Sequence, residues 1–143
     1  MLYEVLGTRF ELRGKTLPPL PSIKRIGDLV SFLENALNKG IIIKSYELLE
    51  YGNAESCTAC NLFRVFHFAS NLRAELKEFL NKNYSFKIIH KNGCWIDIPA
   101  LRVKIKLGIF QTFLIVGKKE TKLKKHFDSK EALNNILELR KGD

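Results

Sequence analysis

The residues best suited to chemistry are two cysteines, Cys57 and Cys60, in the stretch "ESCTAC". If Ser56 is the N-cap of the helix that follows, Cys57 occupies the first helical position and Cys60 lies one turn later on the same side. Free N–H groups and the positive end of the helix dipole favour a thiolate there. The spacing therefore predicts a nucleophilic thiol beside a second thiol, although chance, half a zinc site and ordinary buried cysteines also produce it.

The elements around this pair follow from the spacing of apolar residues. "IIIKSYELL" has the length of a buried strand and precedes the cysteines. A helix starting at Asn53 or Ser56 is expected to be the longest in the chain, because apolar residues recur at three- and four-residue steps. A short hairpin and a helix from Ser22 to about Lys39 are predicted upstream.

Downstream of the long helix the pattern predicts several strands and one more helix. The strands are "YSFKIIH", "CWIDI", "LRVKIKL" and "IFQTFLIV", with a tight turn at "KNG", a break at Pro99 and a hinge at Gly108. The basic stretch "GKKETKLKKHF" then leads to a helix from Asp128 to about Arg140. Asp128 followed by Glu131 resembles the start of a capping box.

This arrangement resembles the thioredoxin and glutaredoxin superfamily. In that family a C-x-x-C motif begins a helix after the central strand, and a cis-proline follows well downstream; Ile98 and Pro99 match that position. The resemblance implies an α/β domain with a mixed sheet of about four strands, flanking helices and a third family helix that is reduced or absent. Residues 22–143 would form this core of a single domain, and residues 1–21 would add a hairpin and a loop.

The resemblance also implies a function, that of a thiol/disulfide oxidoreductase. Cys57 would attack a disulfide of a protein substrate, and Cys60 would resolve the mixed disulfide. The backbone beside Pro99 would pair with the substrate chain. No metal and no cofactor are implied.

The charge of the chain points to a different function. The net charge is +9, and most of it lies between residues 101 and 126, where Glu120 is the only acid. The cations of this basic segment are Arg102, Lys104, Lys106, Lys118, Lys119, Lys122, Lys124 and Lys125. Such segregation favours nucleic acid, because counterion release rewards each neutralised phosphate. The alternative is therefore a non-catalytic nucleic-acid-binding protein of a virus or mobile element, although lysine-protected edge strands explain the same charge.

The stretch "LRVKIKL" puts cations at alternate positions: Arg102, Lys104 and Lys106. In a strand these three side chains share one face, which a sheet covered on both faces would not tolerate. We therefore expect one face to be open to water or to a partner. Trp95, Phe110 and Phe113 could supply stacking platforms, but both phenylalanines lie in an apolar strand and are expected in the core.

Two metal-dependent alternatives are weaker. The cysteines with His67 and His90 fit no closed zinc module, and His67 lies between two phenylalanines, where a core histidine is commoner. A nuclease could use Glu75 and Asp97 with a lysine of "VKIK", but a lysine stands where the last carboxylate is needed.

Composition excludes several classes of protein. The chain is 45% hydrophobic, which argues against disorder, yet no run approaches the roughly 20 apolar residues of a membrane span. The amino terminus lacks the features of a signal peptide, and three cysteines are too few for a secreted disulfide framework. We expect a soluble cytoplasmic protein with no membrane partner, and its abundant lysine, isoleucine and asparagine suit an AT-rich or thermophilic source.

Overall fold

A computed structural model describes residues 1–141 of the chain. Within that range the fold is mixed α/β, with three helices and two antiparallel sheets of three and five strands, in place of one mixed sheet. The elements are β1 (Leu2–Val5), β2 (Thr8–Arg13), α1 (Ile26–Asn38), β3 (Ile42–Leu48), α2 (Ala54–Leu80), β4 (Lys87–His90), β5 (Cys94–Ile98), β6 (Val103–Leu107), β7 (Thr112–Val116), β8 (Lys119–Lys122) and α3 (Ser129–Arg140).

The chain divides into two compact units, Met1–Ser70 and Asn71–Asp143, with the boundary inside α2. No helix within residues 1–141 has both the length and the apolar character that a membrane span requires. The expectation of a single domain stays a prediction, and each unit is described by itself.

The first unit contains the sheet β1-β2-β3, the helix α1 and the amino-terminal part of α2. Its buried side chains include Phe10 of β2 and Phe63 of α2, whose ring centroids lie 4.7 Å apart. The predicted hairpin and long helix are confirmed. The prediction that "IIIKSYELL" is a buried strand is wrong: β3 pairs only with β2 among the described strands, and Lys44, Ser45 and Glu47 are exposed.

The helix α1 begins at Ile26 rather than after Ser22. The carboxylate of Asp28 accepts hydrogen bonds from the backbone N–H groups of Lys24 and Arg25, both at 3.1 Å. These bonds lower the pKa of Asp28 and fix the first turn of the helix at this point. A carboxylate inside the first turn thus positions the start of the helix, and the serine does not.

The second unit is built on an antiparallel meander in which β4 to β8 lie side by side in chain order. Alternate residues of these strands are buried on one face, and four of them form a cross-strand row: Ile88, Ile96, Ile105 and Leu114. The helix α3 packs against β7 and buries Ala132 and Ile136. The strand β8 was missed by the sequence analysis, which treated "KETK" as part of a basic stretch.

The predicted capping residue of α3 is confirmed, but the capping box is not formed. Asp128 accepts a hydrogen bond from the backbone N–H of Glu131 at 3.0 Å. The carboxylate of Glu131 instead accepts the backbone N–H groups of Lys124 and Lys125, at 2.6 and 3.1 Å. Glu131 therefore fixes the segment between β8 and α3.

We expect Asp128→Ala to lower the free energy of unfolding by about 1 kcal/mol, because an N–H group at the start of α3 loses its partner. Urea denaturation followed by circular dichroism measures this loss. Asp128→Asn is the matched control, since asparagine caps helices about as well as aspartate. Equal losses for the two variants would show that the cap is not the cause.

Candidate functional site

The cysteine pair lies in the first unit, near the start of α2, but not at its first position. The side-chain oxygen of Asn53 accepts the backbone N–H of Glu55 at 2.9 Å, so Asn53 caps the helix. Ser56 is fully buried, and its hydroxyl donates to the carbonyls of Glu50 and Asn53 at 2.8 and 3.0 Å. Of the two predicted helix starts, the one at Asn53 is confirmed, and the one at Ser56, on which the thiolate argument depends, is wrong.

The shifted helix start changes what surrounds Cys57. Its backbone N–H already donates to the carbonyl of Asn53 at 3.1 Å, so it is not one of the free amides of the helix end. The Cys57 side chain is exposed and that of Cys60 is partly exposed. Burial, followed by the neighbouring Cys57, raises the pKa of Cys60. Both causes disfavour the Cys60 thiolate.

Pro99 belongs to the second unit, where it opens a short 3₁₀ turn, Pro99–Leu101, between β5 and β6. No peptide bond within residues 1–141 is cis, so Ile98 and Pro99 do not provide the cis-proline that the resemblance implies. Pro99 itself is exposed. The chain after it turns sharply at Arg102, which has a left-handed φ of 57°.

The three thiols differ in environment and should differ in reactivity. Burial raises the pKa of Cys94 to about 11, whereas Cys57 is exposed. At pH 8 we expect iodoacetamide to modify Cys94 about 100-fold more slowly than Cys57, since only the thiolate reacts. Mass spectrometry of a labelling time course measures the rates. The difference should vanish in urea, and similar rates for the two residues in the folded protein would contradict the expectation.

The structure does not bring together the residues of the zinc site or of the nuclease site within residues 1–141. Within residues 1–141, no three side chains of His, Cys, Asp or Glu lie close enough to share a metal ion. His67 Nδ1 lies 2.8 Å from the carbonyl oxygen of Ile43, and a Glu75 oxygen accepts the hydroxyl of Ser129 at 3.2 Å. Neither contact involves Asp97.

The outward side of the five-stranded sheet, called the open face below, carries the most distinctive arrangement. Lys104 and Lys106 are exposed on β6, while the alternate residues Val103, Ile105 and Leu107 are buried. One cross-strand row of the open face runs through all five strands and is called the central row. Its members, in order from β4 to β8, are Ile89, Trp95, Lys106, Phe113 and Lys122.

Aromatic rings therefore stand on both sides of Lys106. Trp95 is opposite it on β5, with the Lys106 Nζ 5.5 Å from the ring centroid, and Phe113 is opposite it on β7. Phe113 is 36% exposed and Phe110, in the loop after β6, is 83% exposed. The expectation that these two phenylalanines lie in the core is wrong. Strand spacing of about 4.8 Å puts Trp95 and Phe113 about 10 Å apart.

A second row of the open face adds charge beside the central row. Its members are Lys87, Asp97, Lys104, Ile115 and Glu120. Asp97 has a lysine on each side, Lys87 and Lys104, an arrangement that stabilises cross-strand pairing. Over both rows, four lysines stand against two acids, so the open face is positive.

The structure divides the basic segment among three places. Arg102 is not in β6, because it adopts the left-handed conformation before the strand, so the expected row of three cations is a row of two. Arg102 lies with Lys118 and Lys119 at one end of the sheet, and the Lys119 Nζ donates to the carbonyl of Leu139 at 3.1 Å. Lys104, Lys106 and Lys122 lie on the open face, and Lys124 and Lys125 follow β8 at the other end.

Sequence reasoning missed the contributions of β8 and of β7 to this surface. Gly117, in "VGKKETK", has a φ of 61° and forms the turn that reverses the chain direction between β7 and β8. Such a glycine is a hairpin signal that is visible in the sequence.

No family model, curated protein or solved structure matches this chain. The resemblance to the thioredoxin and glutaredoxin superfamily therefore stays a prediction.

Proposed function

We propose that this protein binds single-stranded nucleic acid on its open face, without catalysis. The observation that carries the proposal is the order of side chains in the central row: ring, cation, ring, cation from Trp95 to Lys122. An unpaired strand presents the same alternation, because each base is followed by a phosphate. Bases stacked on Trp95 and Phe113 would leave the phosphate between them opposite Lys106.

An unpaired strand suits this surface better than a duplex does. In a duplex the base faces are covered by their neighbours, so rings on a flat sheet cannot stack on them. Exposed aromatic side chains in a basic groove or face are the usual means of binding single strands without sequence preference. The ring of Phe113 is 36% exposed beside Lys106 and Lys122, so part of its surface is accessible to a base.

The amine of Lys106 lies against Trp95 in the free protein. Such a contact is worth about 0.5–1 kcal/mol at an exposed site, less than the 1–3 kcal/mol of a stacked base. A base can therefore displace the amine from the ring and leave it free to bind the adjacent phosphate. The four lysines of the open face predict a salt dependence with a log–log slope near −3 for a single strand.

Fluorescence titration tests the proposal directly, because Trp95 is the only tryptophan in the chain. We expect a dT oligonucleotide to quench its emission, with affinity that falls as salt rises and with weaker binding of a duplex of equal length. The absence of both quenching and oligonucleotide retention at about 50 mM salt, where electrostatic binding is strong, would overturn the proposal.

Thiol/disulfide exchange at the cysteine pair is the second candidate function. It is supported by two free thiols three positions apart near the start of α2. In this reaction the Cys57 thiolate breaks a substrate disulfide to form a mixed disulfide. Cys60 then displaces the reduced substrate, so that the cysteine pair becomes the disulfide and loses two electrons. Insulin reduction by dithiothreitol should be accelerated by the native chain and not by Cys57→Ser; equal rates would exclude this function.

A further inference from the structure

The loop between β6 and β7, residues 108–111, is called the hairpin tip below. It is closed by a hydrogen bond of 2.9 Å from the backbone N–H of Gly108 to the carbonyl of Gln111. The two residues between them, Ile109 and Phe110, are 82% and 83% exposed. Two large apolar side chains thus project from a closed turn into solvent, where they contribute no burial free energy unless a partner covers them.

Cations flank the hairpin tip on both sides. The antiparallel register places the β4–β5 turn, which carries Lys91, at the same end of the sheet. The backbone N–H of Leu123 donates to the carbonyl of Thr112, so the chain after β8 also emerges at this end. It carries Lys124 and Lys125, whose backbones are held by Glu131. An apolar projection between cations matches a ligand that has an exposed base surface between phosphates.

The hairpin tip is continuous with the open face. Leu107 and Thr112 form the last cross-strand pair before the tip, and Lys106 and Phe113 of the central row form the pair before that. One residue pair separates the central row from the tip, so the tip begins two residues, about 7 Å, along β6 and β7 from Lys106 and Phe113. An unpaired strand that leaves the central row at Phe113 can therefore continue to the tip. This continuity favours a nucleic acid over a membrane as the partner of the tip.

We propose that the preferred ligand is a junction, in which an unpaired strand continues into a duplex. The inference rests on the proposed function, because the open face holds the unpaired strand. Ile109 and Phe110 cover the terminal base pair, whose outer face is the only base-pair surface in a duplex that has no neighbour. Lys91, Lys124 and Lys125 neutralise the phosphates of the two strands at this point.

The test compares a hairpin duplex that carries an unpaired dT tail of about ten nucleotides with the tail alone. We expect the junction to bind about 10-fold more tightly, in keeping with one additional stacked surface. The variant Ile109→Ser/Phe110→Ser should lose this preference and bind the tail alone as before. Phe110→Tyr keeps the ring and should keep the preference. Phe79→Ala is the matched control, because it removes an exposed ring from the end of α2.

The outcomes separate the inference from the function on which it rests. Tight binding of the tail with no preference for the junction overturns the inference alone. Failure to bind either ligand overturns both. Sedimentation with phosphatidylserine-containing vesicles provides a third arm: vesicle binding that Ile109→Ser/Phe110→Ser abolishes, without a junction preference, overturns the inference in favour of a membrane surface.

Discussion

We expect Lys104→Glu/Lys106→Glu to weaken the binding of a single-stranded oligonucleotide by about 100-fold. Both side chains are exposed on β6 in adjacent rows of the open face, so both would lie beside a strand bound there. A hydrogen bond to a charged group contributes about 1.5 kcal/mol at the low end, so the loss of two contributes about 3 kcal/mol. The magnitude of the log–log salt slope should also fall by about 1.4, or 0.7 for each phosphate contact. Fluorescence anisotropy of a labelled oligonucleotide at several salt concentrations measures both quantities.

A matched variant separates this local effect from the change in net charge. Lys77→Glu/Lys130→Glu removes the same charge from exposed positions on α2 and α3. We expect it to bind within about 3-fold of the native chain, since both residues lie on helices rather than on the open face, and salt screens exposed charges that do not contact the ligand. Lys104→Gln/Lys106→Gln avoids placing a glutamate opposite Asp97 and should give a smaller loss in the same direction. Equal losses for the reversal on β6 and for the control would show that the open face is not the site.

The second large effect is expected from the rings of the central row. Trp95→Ala and Phe113→Ala should each weaken oligonucleotide binding by roughly 5- to 150-fold, because a stacked base is worth about 1–3 kcal/mol. The salt slope should stay unchanged, since neither ring contacts a phosphate. This separation of affinity from salt dependence distinguishes stacking from a general loss of structure. Anisotropy is again the measurement, because the first variant has no tryptophan.

Conservative variants provide the control for the rings. Trp95→Phe and Phe113→Tyr keep a flat aromatic surface and should bind within a few-fold of the native chain. Phe113→Leu keeps the apolar area but not the ring, and should lose most of the affinity with little loss of stability, since Phe113 is already 36% exposed. Affinity retained by Phe113→Leu would mean that bases do not stack at this position.

Thiol chemistry at Cys57 depends on where α2 begins, whereas nucleic-acid binding depends on how the strands of the five-stranded sheet align. The long helix after the cysteines was predictable because apolar spacing specifies a helix face. The first residue of that helix was not, because Asn53 and Ser56 are both good caps. Burial decides between them. The buried Ser56 hydroxyl donates to two carbonyls, so Asn53 instead accepts the backbone N–H of Glu55 and caps the helix. That shift of three residues decides which backbone N–H groups lie near Cys57.

The sequence by itself determined that one face of β6 is exposed to solvent and the other is buried, because alternating charged and apolar residues permit only that arrangement in a strand. It also determined the position of α3, through Asp128. Only the tertiary structure decided what stands beside Lys106. Phe113 is followed by three apolar residues, Leu114, Ile115 and Val116, so alternation could not show which way it points. The cross-strand register between β6 and β7 turns it outward, and register depends on contacts between distant residues.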